Sequence, residues 1–122
     1  MDYVRIGKSG LKLTQVTFGT ALTIGTENND IAYARSMIDM AWKLGIRSFD
    51  CANNYGDGAA EILLGLALKE YPRNEMVVST KGSWPIGSTV YHKGLSRKHI
   101  LWAFEESLAR MGMDYVDLYY AH

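Results

Sequence analysis

Short apolar runs alternate with amphipathic helical stretches along nearly the whole chain, and this alternation constrains the fold more than any other feature. Residues 16–18 form a short apolar run ended by Gly19-Thr20 and followed by a polar loop through Asn29. From Asp30 to Leu44, Ala34, Met37, Ile38 and Ala41 recur at helical spacing, and Gly45 is placed to end that helix in a left-handed turn. Residues 46–49 predict the next strand. Ala60, Leu63, Leu64 and Ala67 mark a second helix stopped before Pro72, and residues 76–79 a third strand. Ser96 can cap a third helix whose stripe is Ile100, Ala103, Phe104, Leu108 and Met111, ahead of Gly112, and residues 116–119 predict a fourth strand. This order implies parallel strands joined by right-handed crossovers, an α/β fold. Ahead of it, residues 3–6 and 11–13 flank Gly7-Lys8-Ser9-Gly10 and predict a small hairpin.

Two architectures satisfy this order. An open doubly wound sheet could be complete near this length, whereas a (β/α)8 barrel needs roughly 250 residues and would be cut in half. Asp50, Lys81 and His122 fall at or just beyond the carboxyl ends of three successive strands. Both folds place sites there, but a barrel curls successive strand ends around one point. Periodicity leaves both open.

Composition narrows the function classes. With 13 Lys+Arg against 13 Asp+Glu and no long run of one sign, the chain has no electrostatic footprint for nucleic acid or an anionic membrane. Small molecules or proteins are the expected partners, and a homo-oligomer is allowed. The single cysteine, Cys51, has no intramolecular partner, so a reducing compartment and a cytoplasmic location are expected. No signal peptide, membrane insertion or linker is expected, and residues 1–122 are read as one domain.

The stretch Gly45-Ile46-Arg47-Ser48-Phe49-Asp50-Cys51-Ala52, continuing through Tyr55-Gly56 to Glu61 and Gly65, resembles the signature of the aldo-keto reductases. The Gly19-Thr20 exit, Ser79-Thr80-Lys81, and the run from Asp114 through Val116 and Asp117 to His122 agree in order, so the resemblance covers essentially the entire chain. The spacing from Asp50 to Gly65 and the segment Gly94-Leu95-Ser96-Arg97-Lys98-His99-Ile100 resemble the branch that includes the potassium-channel β subunits. Those subunits commonly carry asparagine where this chain has His122, which leans toward an ordinary reductase. The resemblance implies a (β/α)8 TIM barrel with an N-terminal hairpin closing its bottom, here the hairpin and about the first four βα units. In the family, most contacts to the adenine, 2′-phosphate and pyrophosphate come from the second half of the barrel.

For function, the resemblance implies reduction of aldehydes or ketones with NADPH. Carbonyl reduction needs a proton donor at oxygen, and a tyrosine hydroxyl is a weak acid until a nearby ammonium favours its phenolate. Tyr55 is the expected general acid, Lys81 the ammonium, Asp50 the carboxylate that keeps Lys81 charged, and His122 the hydrogen-bond donor to the substrate oxygen. Gly19, Thr20 and Ala21, with Asp50, are expected beside the nicotinamide, and Trp84 along the substrate pocket with Tyr55 and His122. The alternatives are a channel β-subunit-like regulatory protein with a nucleotide-bound barrel, or an inactive half-barrel; the 122 residues alone are expected to have little activity.

Plainer readings exist for each residue. An aspartate at a strand end commonly caps a turn, Tyr55 could be a loop aromatic, and Lys81 a solvated charge. His92 and His99 lack metal-ligand spacing and are expected at the surface, and no metal is expected. Cys51 is expected as a small packed residue, Gly56-Asp57-Gly58 as a turn that positions Tyr55, and Tyr115, Tyr119 and Tyr120 in a buried strand and its rim.

Overall fold

The computed structural model describes Met1–His122. A hairpin of β1 (Tyr3–Arg5) and β2 (Lys12–Thr14) precedes a four-stranded parallel sheet of β3 (Phe18–Gly19), β4 (Ser48–Asp50), β5 (Val77–Gly82) and β6 (Leu118–Ala121). Helices α1 (Ile31–Lys43), α2 (Ala59–Leu68) and α3 (Arg97–Met111) are the crossovers. Asp30 and Ser96 cap α1 and α3 by accepting from the amides of Ala32 and His99, and Gly45 and Gly112 follow these helices with φ of +85° and +62°.

The strands lie in the order β3-β4-β5-β6, following the chain without reversal. A doubly wound sheet reverses its strand order and carries helices on both faces. Here the faces are unlike. Phe49 and Val78 join a cluster of 15 buried residues with Ala34 and Ile38 of α1 and Leu64 of α2. Asp50, Ser79, Lys81, Tyr120 and His122, on the alternate pleat, line an open concave space of about 550 Å³. A singly wound sheet with one covered face is the arrangement that curls into a barrel, and the open-sheet alternative is set aside. The hairpin seats on the opposite end of β4, where the Thr14 amide donates to Ser48 Oγ at 3.1 Å and the Thr14 hydroxyl meets the same oxygen at 3.0 Å. No helix is long and apolar enough to cross a membrane.

Two strands end later than their apolar runs. β5 continues through Lys81 to Gly82, because Thr80, Lys81 and Gly82 pair with Tyr119, Tyr120 and Ala121; Lys81 is therefore on the strand rather than past it. β6 correspondingly starts at Leu118 and not at residue 116. The short β3 also falls late, pairing Phe18 with Phe49 and Gly19 with Asp50. Of the tyrosines, Tyr119 packs edge-on against Phe104 on the helical side, while Tyr115 lies before β6 under the Arg73 guanidinium.

The expected stripe of α3 is displaced. Its buried residues are His99, Ala103, Ser107 and Met111, while Ile100, Phe104 and Leu108 are only half-buried. The face turned to the sheet carries two polar residues, and hydrophobic periodicity does not register them. The surface expectation for His99 is thus overturned: it is 1% exposed, its ring lies 5.8 Å from that of Trp102, and neither ring nitrogen has a partner. His92 is half-buried and stacks on Trp102 with ring centroids 4.2 Å apart.

Burial, with the nearby His92 charge, lowers the pKa of His99 against a smaller upward pull from the Tyr91 backbone. The unfolded chain, with His99 near 6.5, therefore binds its proton first as pH falls. His99 contributes stability that is present above about pH 6.5 and lost as pH drops through its lower folded value. Thermal melts between pH 7 and 5 should show the melting temperature falling, and falling less in His99→Leu. An identical pH slope in the two proteins would remove His99 as the cause.

Candidate active site

Strand alternation and register bring the site together. Gly19 pairs with Asp50, Asp50 with Ser79 and Ser79 with Leu118, and Lys81, two residues further along β5, pairs with Tyr120, so two successive rows of one face of the sheet line the concave space. Lys81 Nζ donates to Asp50 Oδ2 at 2.6 Å, to the Cys51 carbonyl at 2.7 Å and to the Tyr55 hydroxyl oxygen at 3.2 Å. All three ammonium donors are used. The other Asp50 oxygen accepts from Ser79 Oγ at 2.6 Å. Burial alone would lower the pKa of Lys81, but its hydrogen bonds to Asp50 and Tyr55 and the Asp50 charge outweigh burial and raise it.

Tyr55 reaches Lys81 from the loop after β4, where a 3-10 turn at Tyr55–Gly58 leads into α2. Gly56, Asp57 and Gly58 all have positive φ, of 56°, 52° and 92°. A Cβ on Gly56 would collide with the Gly25 carbonyl, so the turn can close against the β3 exit loop only with glycine there. The tight turn is why Tyr55 comes back over the strand end.

His122 follows β6, with its backbone amide donating to the Gly82 carbonyl at 2.9 Å and its carbonyl accepting from Ser83 Oγ at 2.8 Å. Its ring stands edge-on to Tyr55 at 5.7 Å and lies 5.4 Å from the ring of Trp84, which is 55% exposed. Burial and the Lys81 charge lower the pKa of His122, with Asp50 opposing, so the imidazole is neutral at pH 7. One ring nitrogen then carries a proton to donate.

The β3 exit divides by residue. Gly19 lines the concave space, and a Cβ there would meet nothing within 4 Å. Thr20 is fully buried, its amide and hydroxyl both directed to the Asp50 carbonyl at 3.1 and 3.2 Å, and Ala21 is exposed. Cys51 is buried beside Asp50, a small packed residue as expected, and burial pushes its thiol up to about 12. No three His, Cys, Asp or Glu side chains gather where they could hold a metal ion.

Sequence reasoning passed over Ser79 as a partner of Asp50, although its place two residues before Lys81 on one strand puts both on the same face. It also passed over the Cys51 carbonyl, for which no side-chain signal exists. Glu61, which no local signal marks as a paired charge, is completely buried and bound to Thr80 and Arg110.

The aldo/keto reductase family model matches residues 15–122. The chain is 41% identical over 124 residues to an Arabidopsis thaliana protein named "Probable voltage-gated potassium channel subunit beta". It is 39% identical over 127 residues to the L-glyceraldehyde 3-phosphate reductase of Escherichia coli strain K12. Both alignments take in 100% of this chain but only 37% and 36% of the relatives, so the chain spans a little over a third of the length of the curated relatives it matches.

Proposed function

The chain belongs to the aldo/keto reductase family, and from that premise we propose that it forms the acid-base part of an NADPH-dependent oxidoreductase reducing aldehydes or ketones to alcohols. The family's fold is a (β/α)8 barrel, and β3 to β6 stand as its first four strands. The observation that carries the reading is the Lys81 ammonium, bonded at once to Asp50 and to the Tyr55 oxygen on the face that also bears His122.

An ammonium has no acceptor, so Tyr55 must receive the Lys81 bond on its oxygen, and its own proton is left free for another acceptor. Tyr55 gives that proton to a carbonyl oxygen, and Lys81 stabilises the negative charge left on the phenol oxygen. Asp50 holds Lys81 protonated and in place, with Ser79 fixing the carboxylate. Neutral His122 donates a hydrogen bond to the same carbonyl oxygen as charge builds there, and Trp84 walls the outer side.

The open space at Gly19, where no side chain stands between β3 and Asp50, fits a flat ring. Gly19, Asp50 and Lys81 line that space and would hold the nicotinamide with Ala21 of the same exit loop, while Thr20 would act through its two bonds to the Asp50 carbonyl. Bound there, NADPH would supply one hydride, with its two electrons, to the carbonyl carbon, and Tyr55 the proton to the oxygen.

The test is carbonyl-dependent loss of NADPH absorbance with the complete purified protein, across small aldehydes, ketones and sugar-derived carbonyls including glyceraldehyde 3-phosphate. Turnover above the carbonyl-free rate is expected; its absence across the panel would overturn the reading. A regulatory, channel-subunit-like role is a second reading, supported by the similarity to proteins named as channel subunits. It predicts direct binding to a channel's intracellular domain, which the reductase reading does not require. A cytoplasmic location is common to both proposals.

A further inference from the structure

Behind the sheet, on the helical side, Glu61 of α2 is a fully buried carboxylate with a different partner on each oxygen. Its Oε1 accepts from the Thr80 hydroxyl at 2.6 Å, and its Oε2 from Arg110 Nε of α3 at 2.6 Å. Thr80 immediately precedes Lys81 on β5, and alternation points the two to opposite faces, Thr80 to Glu61 and Lys81 to the site. Arg110 also reaches Ser107 Oγ at 3.3 Å and lies 4.0 Å from a Glu106 oxygen, but its stem runs across the turn that carries Tyr55. A Cβ on Gly58, three residues after Tyr55, would lie 2.7 Å from Arg110 Cδ.

We infer that the Thr80–Glu61–Arg110 network sets the separation of Tyr55 and Lys81, making these three positioning residues. The inference rests on the reductase reading for its catalytic consequence. One end of the network holds the backbone next to Lys81 and the other the turn below Tyr55, so slack in it appears as slack in their 3.2 Å contact. A buried ion pair is a poor source of net stability, since desolvation offsets its attraction. What it gives here is geometry: a charged carboxylate accepts two short bonds in fixed directions, which an apolar contact cannot enforce. None of the three touches the reacting atoms.

The experiment compares Thr80→Val, Glu61→Gln and Thr80→Ser with the parent in the complete protein. For Thr80→Val and Glu61→Gln, kcat should fall on the order of 10- to 100-fold with KM nearly unchanged. The Lys81 titration, followed by carbon-13 lysine NMR in the cofactor-free protein and assigned with Lys81→Met, should move toward an ordinary lysine. Thr80→Ser, which keeps the hydroxyl, should restore the parent values. A folded Thr80→Val protein with the parent's kcat and Lys81 titration overturns the inference, and this variant decides the matter if Glu61→Gln does not fold. A parent without carbonyl-dependent turnover overturns the reductase reading instead. The Lys81 titration then tests the network alone, an unmoved value counting against it.

Discussion

Tyr55→Phe should abolish nearly all carbonyl reduction while leaving the protein folded. The expected loss is in kcat, about 10²- to 10⁴-fold, the usual contribution of a positioned general acid. The reason is specific to the hydrogen-bond pattern. Lys81 keeps two of its three acceptors, Asp50 and the Cys51 carbonyl, when the phenol oxygen is removed. The aromatic ring, which lies 5.7 Å from His122 and 4.8 Å from Lys81 Nζ, is retained. Stability should therefore change by only about 1 kcal/mol, the net value of one hydrogen bond. Steady-state kinetics with a thermal melt on the same sample check both parts. A variant that retains the parent kcat would show that another group delivers the proton.

Lys81→Met should cost both activity and stability, and separating the two is the informative part. Asp50 would keep its Ser79 bond but lose its cation at 2.6 Å. Unpairing a fully buried charge costs about 3–5 kcal/mol; because this pair borders the open concave face, about 1–3 kcal/mol is the appropriate scale. Turnover should fall on the order of 10²-fold or more, since nothing then stabilises the charge on Tyr55 oxygen. Adding Asp50→Leu removes the stranded carboxylate, so stability should largely return while activity does not. Recovery of both would mean that Lys81 serves packing alone. The raised pKa of Lys81 fixes a further sign: its stabilising contribution is present below its unfolded value of about 10.4 and lost as pH rises through the folded value. The Met variant should lack that alkaline loss.

Local signals in the chain were sufficient where an outcome depends on neighbours within a few residues. Ser96 as a cap, the α1 stripe of Ala34, Ile38 and Ala41, and the Gly56-Asp57-Gly58 turn follow from φ preferences and from a 3.6-residue period. They fall short where burial is decided by a partner far along the chain. Glu61 and Arg110 are 49 residues apart, and nothing local to either announces a buried pair. His99 reads as a polar residue in a helix's first turn, yet it is 1% exposed, beside Trp102 and the loop that carries Tyr91 and His92.

By itself, the sequence determined the succession of strands and helices, because strand exits and turns are written in nearest-neighbour preferences, and its resemblance to the family singled out Asp50, Tyr55, Lys81 and His122 as the expected site residues. The tertiary structure decided that the strands follow one another without reversal and keep one face bare. It also decided that Lys81 meets Asp50 and Tyr55 at once, and that the polar network of Thr80, Glu61 and Arg110 lies behind them. Those outcomes depend on register and packing between segments dozens of residues apart, where a shift of one residue in a strand would turn each of these side chains to the opposite face.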